Sequence, residues 1–196
     1  MKKRPNATTP ITYNKMLNFF GKKKDGRELS NFYEGIVVLD GDRVYKSGES
    51  AFHGSKYLKA AESCADANRR LELIDYAKRF EVGGEYGDLN GNEIKKRGGK
   101  GKNGKKLNPA EISVWSRLGT DVQRDICKYK FENDEIVKSA LLATTGKVLI
   151  HPAMRCSKEK VKDRLWEGRG EIVDGKVVVW GGNMLGNIWM DLRDGR

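Results

Sequence analysis

The stretch Ile36-Val-Val-Leu-Asp-Gly-Asp-Arg-Val-Tyr-Lys-Ser-Gly-Glu-Ser-Ala-Phe-His-Gly-Ser-Lys-Tyr57 decides how this chain is read. Its first half holds two apolar runs, at Ile36–Leu39 and around Val44-Tyr45, separated by Asp40-Gly41. Asp-Gly accepts the positive φ angles of a tight turn, so the pattern predicts a β-hairpin. Its second half changes period. From Glu49 onward a helix places Glu49, His53 and Lys56 at i, i+4 and i+7, on a stripe that also carries Phe52. A carboxylate, an imidazole, an ammonium and an aromatic ring on one stripe are the equipment of a concave site for a polar ligand. The plainer alternative is a solvated face with Glu49 favouring the helix N-terminus.

Working outward, residues 1–12 read as a polar, flexible arm, followed by Tyr13 to Gly21, a basic turn and Leu29-Ser-Asn-Phe-Tyr33. A helix over about Asn68 to Phe80 would place Leu71, Ile74 and Ala77 on its buried side. Asp88 to Lys106 carries seven Lys/Arg against two acids, with glycine at five positions. That composition has little apolar area to offset its ordering cost, so a mobile loop is expected, and excision of Lys95–Lys106 is expected to leave folding intact. Asn108-Pro109-Ala110-Glu111 is a helix start, with Asn as N-cap, Pro at N1 and Glu at N3. Ile112, Trp115, Val122, Ile126 and Tyr129 continue it, with Gly119 as a potential break. A further helix covers Asp134 to Ala143, a short strand covers Val148 to Ile150, and Ile172 to Val179 is a second hairpin around Asp174-Gly175. Leu185, Ile188, Trp189 and Leu192 mark a last helix.

A chain of 196 residues with 38% hydrophobic and 33% charged residues suits one globular domain. No run is apolar and long enough to cross a bilayer, and the N-terminus lacks a signal-peptide core, so a cytoplasmic protein is expected with no membrane partner. Three widely spaced cysteines, Cys64, Cys127 and Cys156, form no metal or redox motif, and only His53 and His151 represent histidine. No metal site and no cofactor are expected. The net charge of +11 implies attraction to polyanions or phosphate-bearing ligands, though much of the charge sits in the 88–106 segment.

Among the remaining motifs, Asp163-Arg-Leu-Trp166 puts an acid and a large aromatic one helical turn apart, before a glycine-bearing loop. The ring can serve as a floor for a heterocycle, or equally as core. Gly181-Gly-Asn-Met-Leu-Gly186 lacks the Lys-Ser/Thr ending of a phosphate loop. There is no G-x-S-x-G elbow and no H-E-x-x-H, which leaves chemistry based on carboxylates.

Taken together, Asn18-Phe-Phe-Gly21, Leu29-Ser-Asn-Phe-Tyr33, Ser47-Gly-Glu-Ser-Ala-Phe-His53 with Lys56, Trp115, Lys130-Phe131, Leu141-Leu-Ala-Thr144, Asp163-Arg-Leu-Trp166 and Asn183-Met-Leu-Gly-Asn-Ile-Trp-Met190 resemble the NADAR, or YbiA-like, family. The resemblance covers about residues 14 to 194, and the separation of Trp115 from Phe131 fits it. It implies a mainly α fold, a compact multihelical YbiA-like single domain over 13–196 with two small β-hairpins and an inserted basic loop at about 88–106. It also implies an N-glycosidase that cleaves a (phospho)ribose or ADP-ribose from a nitrogenous base, as with phosphorylated riboflavin-pathway intermediates or ADP-ribosylated nucleobases. On matching positions the catalytic acids fall on Glu49 and Asp163, and the site tryptophans on Trp115 and Trp166. Ser30, Asn31, Phe32 and Asn183 match recurrent family positions, and His53 and Lys56 join them as substrate-binding candidates. Lys56 would anchor a phosphate or pair with Glu49.

The chain departs from the family pattern at Ser50, where a histidine is usual, at His53 and Ser55, where glutamines are common, and at Glu167, where a glycine usually follows the tryptophan. These departures bear on substrate identity rather than on hydrolysis. The expected partner is a small ribosyl or ADP-ribosyl substrate, or an ADP-ribosylated nucleic acid drawn in by the basic loop. Two rival readings stand beside the enzyme: a module that binds ADP-ribose or NAD without cleaving it, and a nucleic-acid-binding protein. Retention of both acids favours the enzyme over the first. Absence of aromatic residues between Asp88 and Lys106 weakens the second, since single-strand binding adds base stacking to charge.

Overall fold

In the computed structural model the decisive stretch forms the expected hairpin and helix. β2 (Glu34–Leu39) pairs antiparallel with β3 (Arg43–Ser47), and Asp40, Gly41 and Asp42 take φ of 53°, 75° and 64° to turn the chain between them. Ser47 ends β3 and caps α1 (Gly48–Glu62), its Oγ accepting from the Ser50 N–H at 3.2 Å. The structure describes residues 13–20, 25–99, 104–154 and 156–196; the arm expected over 1–12 and the basic turn at 21–24 lie outside them.

α1 is buried on nearly every side, including Ser50, His53, Ser55 and Lys56, because helices over residues 67–78, 91–98 and 109–133 and the hairpin all pack around it. α2 (Ala67–Lys78), capped by Asp66, is one of these layers. Its buried face is Leu73, Tyr76 and Ala77, continued by Phe80, whereas Leu71 is 59% exposed. The predicted Leu71–Ile74–Ala77 face is thus rotated, because Tyr76 sets its edge against Tyr57 at 4.7 Å and against Phe80 at 5.7 Å.

The expectation of a mobile basic loop needs correction. Residues 91–98 form α3 (Gly91–Gly98), capped by Asn90, which accepts from the N–H groups of Asn92 and Glu93. Ile94 is only 1% exposed and joins the core, flanked by Leu89 and Leu107. One apolar anchor and the Tyr57 and Tyr76 hydroxyls, which bond to backbone of Arg97 and Lys105, supply what the composition concealed. Residues 100–103 lie outside the description.

α4 (Pro109–Asn133) opens with the predicted box: Asn108 Oδ1 accepts from Glu111 N–H at 2.9 Å, and Glu111 Oε2 accepts from Asn108 N–H at 2.8 Å. Gly119 does not break it. A Cβ there would stand 3.2 Å from the Trp115 indole, so the glycine makes room for that ring. α5 (Glu135–Leu142) follows, capped by Asp134. β4 (Val148–Ile150) pairs in parallel with β1 (Met16–Asn18), a third small sheet that the separation of its strands in sequence hid. α6 (Lys158–Val161), the hairpin of β5 (Arg169–Val173) and β6 (Lys176–Trp180), and α7 (Met184–Arg193) complete the domain.

The core has two parts. One gathers α1, α2, α3 and the first hairpin; the other gathers Phe19, Leu29, Val137, Leu141, Leu149, Leu185 and Trp189. α4 serves both, through Val122 and Ile126 on one side and Cys127 on the other. The three cysteines are unpaired, and burial pushes the Cys127 thiol up to about 12, which leaves it an inert core group. No helix among the described residues is long and apolar enough to cross a membrane, and no cluster of metal-ligating side chains occurs among them.

Candidate active site

Where the N-terminus of α1 faces the two cores, a cavity of about 390 Å³ opens, lined by Asn31, Glu49, Phe52, His53, Lys95, Gln123, His151, Arg164, Leu165, Trp166 and Glu167 among others. Glu49 stands in the first turn of α1 and is 8% exposed; its N–H donates to the Asn31 carbonyl at 2.9 Å. One carboxylate oxygen lies 3.2 Å from His53 Nε2, the i, i+4 contact that the stripe predicted.

Burial lowers the pKa of His53, although the hydrogen bond and the charge of Glu49 pull it back. The imidazole is therefore neutral near pH 7, and the Nε2 that faces the carboxylate carries the proton. Its Nδ1 is buried without a hydrogen-bond partner among the described residues. Gly98 lies against the ring: a Cβ there would stand 2.0 Å from His53 Cγ, so this position needs glycine. The end of α3 thus forms a roof over the histidine. Lys56 Nζ donates to the Gly98 carbonyl and stands 4.4 Å from the centre of the Tyr57 ring.

A second cavity of about 620 Å³ continues from the first, sharing Phe52, His53, Gly99, Leu165 and Trp166 and adding Lys56, Lys105, Lys106, Ile112, Trp115, Ser116 and Thr120. Phe52 stands between them, edge-on to Trp115 at 4.8 Å and to Trp166 at 5.4 Å. The basic segment thus contributes cations to both cavities, Lys95 to the first and Lys105 and Lys106 to the second.

Of the residues singled out from sequence, Asn31, Glu49, His53, Lys56, Trp115 and Trp166 meet at these cavities. Four do not line them. Asp163 is exposed and lines neither cavity, and the helical-turn reading needs correction: α6 ends at Val161, so no turn of helix aligns Asp163 with Trp166. The acid beside Trp166 is Glu167, which is paired with Arg164. Phe32 supports α3 instead, packed on Gly91, with Lys95 Nζ 5.9 Å from its ring. Ser30 is buried, and its Oγ accepts from the Phe32 N–H. Asn183 holds β4 in place, donating to the Leu149 carbonyl at 2.8 Å and accepting from the His151 N–H at 3.0 Å.

Sequence reasoning missed Gln123, Lys95, His151, Arg164 and Glu167. Gln123 had a signal, since it follows Trp115 and Gly119 at i+8 and i+4 on one face of α4. It exchanges two hydrogen bonds with the Asn31 carboxamide, at 2.7 and 3.0 Å. His151 lies stacked on Phe19 at 5.7 Å and donates from Nδ1 to the Trp166 carbonyl at 3.3 Å. Burial lowers its pKa as well.

The chain is a mainly α, single YbiA-like domain with a carboxylate–imidazole pair in an aromatic cavity. Among solved structures, the chain is similar to the NMR structure of the E. coli protein YbiA, at a TM-score of 0.55 and 19% identity over 94% of this chain and 86% of that one. No family model matches the sequence, and no curated protein does. At this identity the likeness shows the fold.

Proposed function

We propose that the chain is an N-glycosidase that hydrolyses the bond between C1′ of a (phospho)ribose or ADP-ribose and a nitrogenous base. The observation that carries this reading is the Glu49 carboxylate, held at one oxygen by neutral His53 inside a cavity walled by aromatic rings. As the C1′–N bond breaks, its electron pair leaves with the base, which takes up a proton from solvent that Glu49 later returns, and positive charge develops on the ribose. A carboxylate below C1′ stabilises that charge. It also accepts the proton of the attacking water, whose oxygen forms the new bond to C1′. General-base help of this kind contributes roughly 10²–10⁴-fold, in analogy with the carboxylates of O-glycosidases.

His53 bonds one oxygen of Glu49, and the reading assigns the other to water. The Asn31–Gln123 amide pair offers donors and acceptors for ribose hydroxyls or the base edge. Trp166 and Phe52 supply apolar walls, and the second cavity, with Trp115, Lys56, Lys105 and Lys106, has the volume and charge for a phosphate-bearing remainder. The sequence resemblance to the NADAR family and the likeness to YbiA agree with this assignment. Incubation with an ADP-ribosylated nucleoside, an ADP-ribosylated oligonucleotide and a phosphoribosylamino pyrimidine, followed by mass spectrometry, tests it. Release of free base is expected from one of them. Saturable binding of all three without release would identify a binding module.

A further inference from the structure

We propose that Lys130 is a positioning residue: its buried ammonium pins the backbone just before Asn31, so that Asn31 meets both Glu49 and Gln123. Lys130 lies in the last turn of α4, is 1% exposed, and donates from Nζ to the carbonyls of Glu28 at 3.0 Å and Ser30 at 3.2 Å. The carbonyl between them, that of Leu29, accepts from Trp189 Nε1 at 2.8 Å. Side chains from α4 and α7 thus hold three consecutive carbonyls. The next residue is Asn31, whose carbonyl receives the Glu49 N–H and whose carboxamide pairs with Gln123. The route from Lys130 to the catalytic carboxylate is therefore an unbroken run of backbone and hydrogen bonds.

The chemistry of the pin explains why an ammonium is present. Lys130 forms no ion pair among the described residues and sits between the rings of Tyr33 and Trp189, at 5.4 and 5.8 Å. Burial pushes its pKa down to about 8, while the Cys127 thiol, Asp134 and Glu28 act in the opposite direction. A charge held in the core without a carboxylate costs stability that a methionine of similar length would not. Methionine, however, could not bond the carbonyls of Glu28 and Ser30. The position therefore exchanges stability for a fixed loop beside the site.

The test uses the full-length protein, ¹⁵N-labelled, with Lys130→Met and Trp189→Phe variants. It reads hydrogen exchange at the Glu49 N–H and the side-chain amide resonances of Asn31 and Gln123, with the backbone amides of α2 as control. Lys130→Met should speed exchange at Glu49 by about tenfold and shift both amide resonances, while α2 is unchanged; Lys130→Arg should restore part of the protection. Should Lys130→Met fail to fold, Trp189→Phe, which removes the Leu29 donor together with part of the buried ring beside Lys130, carries the same expectation. Unchanged Glu49 exchange and unchanged amide resonances in a folded variant would overturn the proposal, as would uniform acceleration that includes α2. Only a kinetic arm rests on the glycosidase reading: there Lys130→Met lowers kcat with KM unaltered. Absence of turnover in the unsubstituted protein would defeat that reading and leave the exchange result standing.

Discussion

His53 shows how one buried side chain links the site to stability. Its pKa and that of His151 lie below the ordinary value of about 6.5 because burial penalises the cation. A depressed folded pKa means that the unfolded chain binds the proton more readily. The stability these groups supply is complete above about pH 6.5 and is lost as pH falls through their lowered folded values. The melting temperature should therefore drop between pH 7 and pH 5, and His151→Phe should flatten part of that drop; a flat profile in the unsubstituted protein would refute the burial of neutral imidazoles. Asp163 and Glu167 give a second contrast. Asp163→Asn should change turnover by less than about twofold, as a surface substitution remote from special contacts. Glu167→Gln, which breaks the Arg164 pair on the cavity wall, should change it clearly, and steady-state kinetics on both variants separates them.

At the scale of elements, what was legible followed from local chemistry. The Asp40-Gly41 turn, the Glu49–His53–Lys56 stripe of α1 and the Asn108-Pro109-Glu111 helix start each specify their own element through a few adjacent residues, and each is present. What was not legible depended on partners distant in sequence. The parallel pairing of β1 with β4 needs contacts across the whole domain, and α3 is stabilised by Tyr57 and Tyr76 of other helices. The helical turn that would align Asp163, which matches a family acid position, with Trp166 is likewise not made, because α6 ends at Val161. α3 therefore carries a prediction opposite to that of a dispensable loop. Ile94→Ala should destabilise the fold by about 2–5 kcal/mol, the usual cost of emptying a core isoleucine site. Gly98→Ala should displace His53 from Glu49 and lower activity, at an overpacking cost of about 1–3 kcal/mol in stability. Denaturant unfolding and kinetics on the two variants check both; neutral outcomes for both would show that α3 is not a wall of the site.

For the whole molecule, the charge of +11 and the cationic wall of the cavities pose the question of substrate size. The proposed nucleic-acid partner makes a specific demand. Replacing Lys105 and Lys106 by Gln should weaken binding of an ADP-ribosylated oligonucleotide and reduce the slope of log K against log salt by about one unit per lost phosphate contact. A small phosphorylated substrate should lose affinity with a much weaker salt dependence. Equal slopes for the variant and the parent on the oligonucleotide would remove the polyanion role and leave these lysines to the cavity. Glu49 couples the N-terminus of α1, the Asn31 loop and His53. The most direct measurement is release of free base by Glu49→Gln compared with the parent, followed by mass spectrometry on whichever substrate the parent cleaves. The expected result is a folded variant that still binds ligand while release falls at least ~100-fold; release at the parent's rate from that folded variant would remove Glu49 from the chemistry.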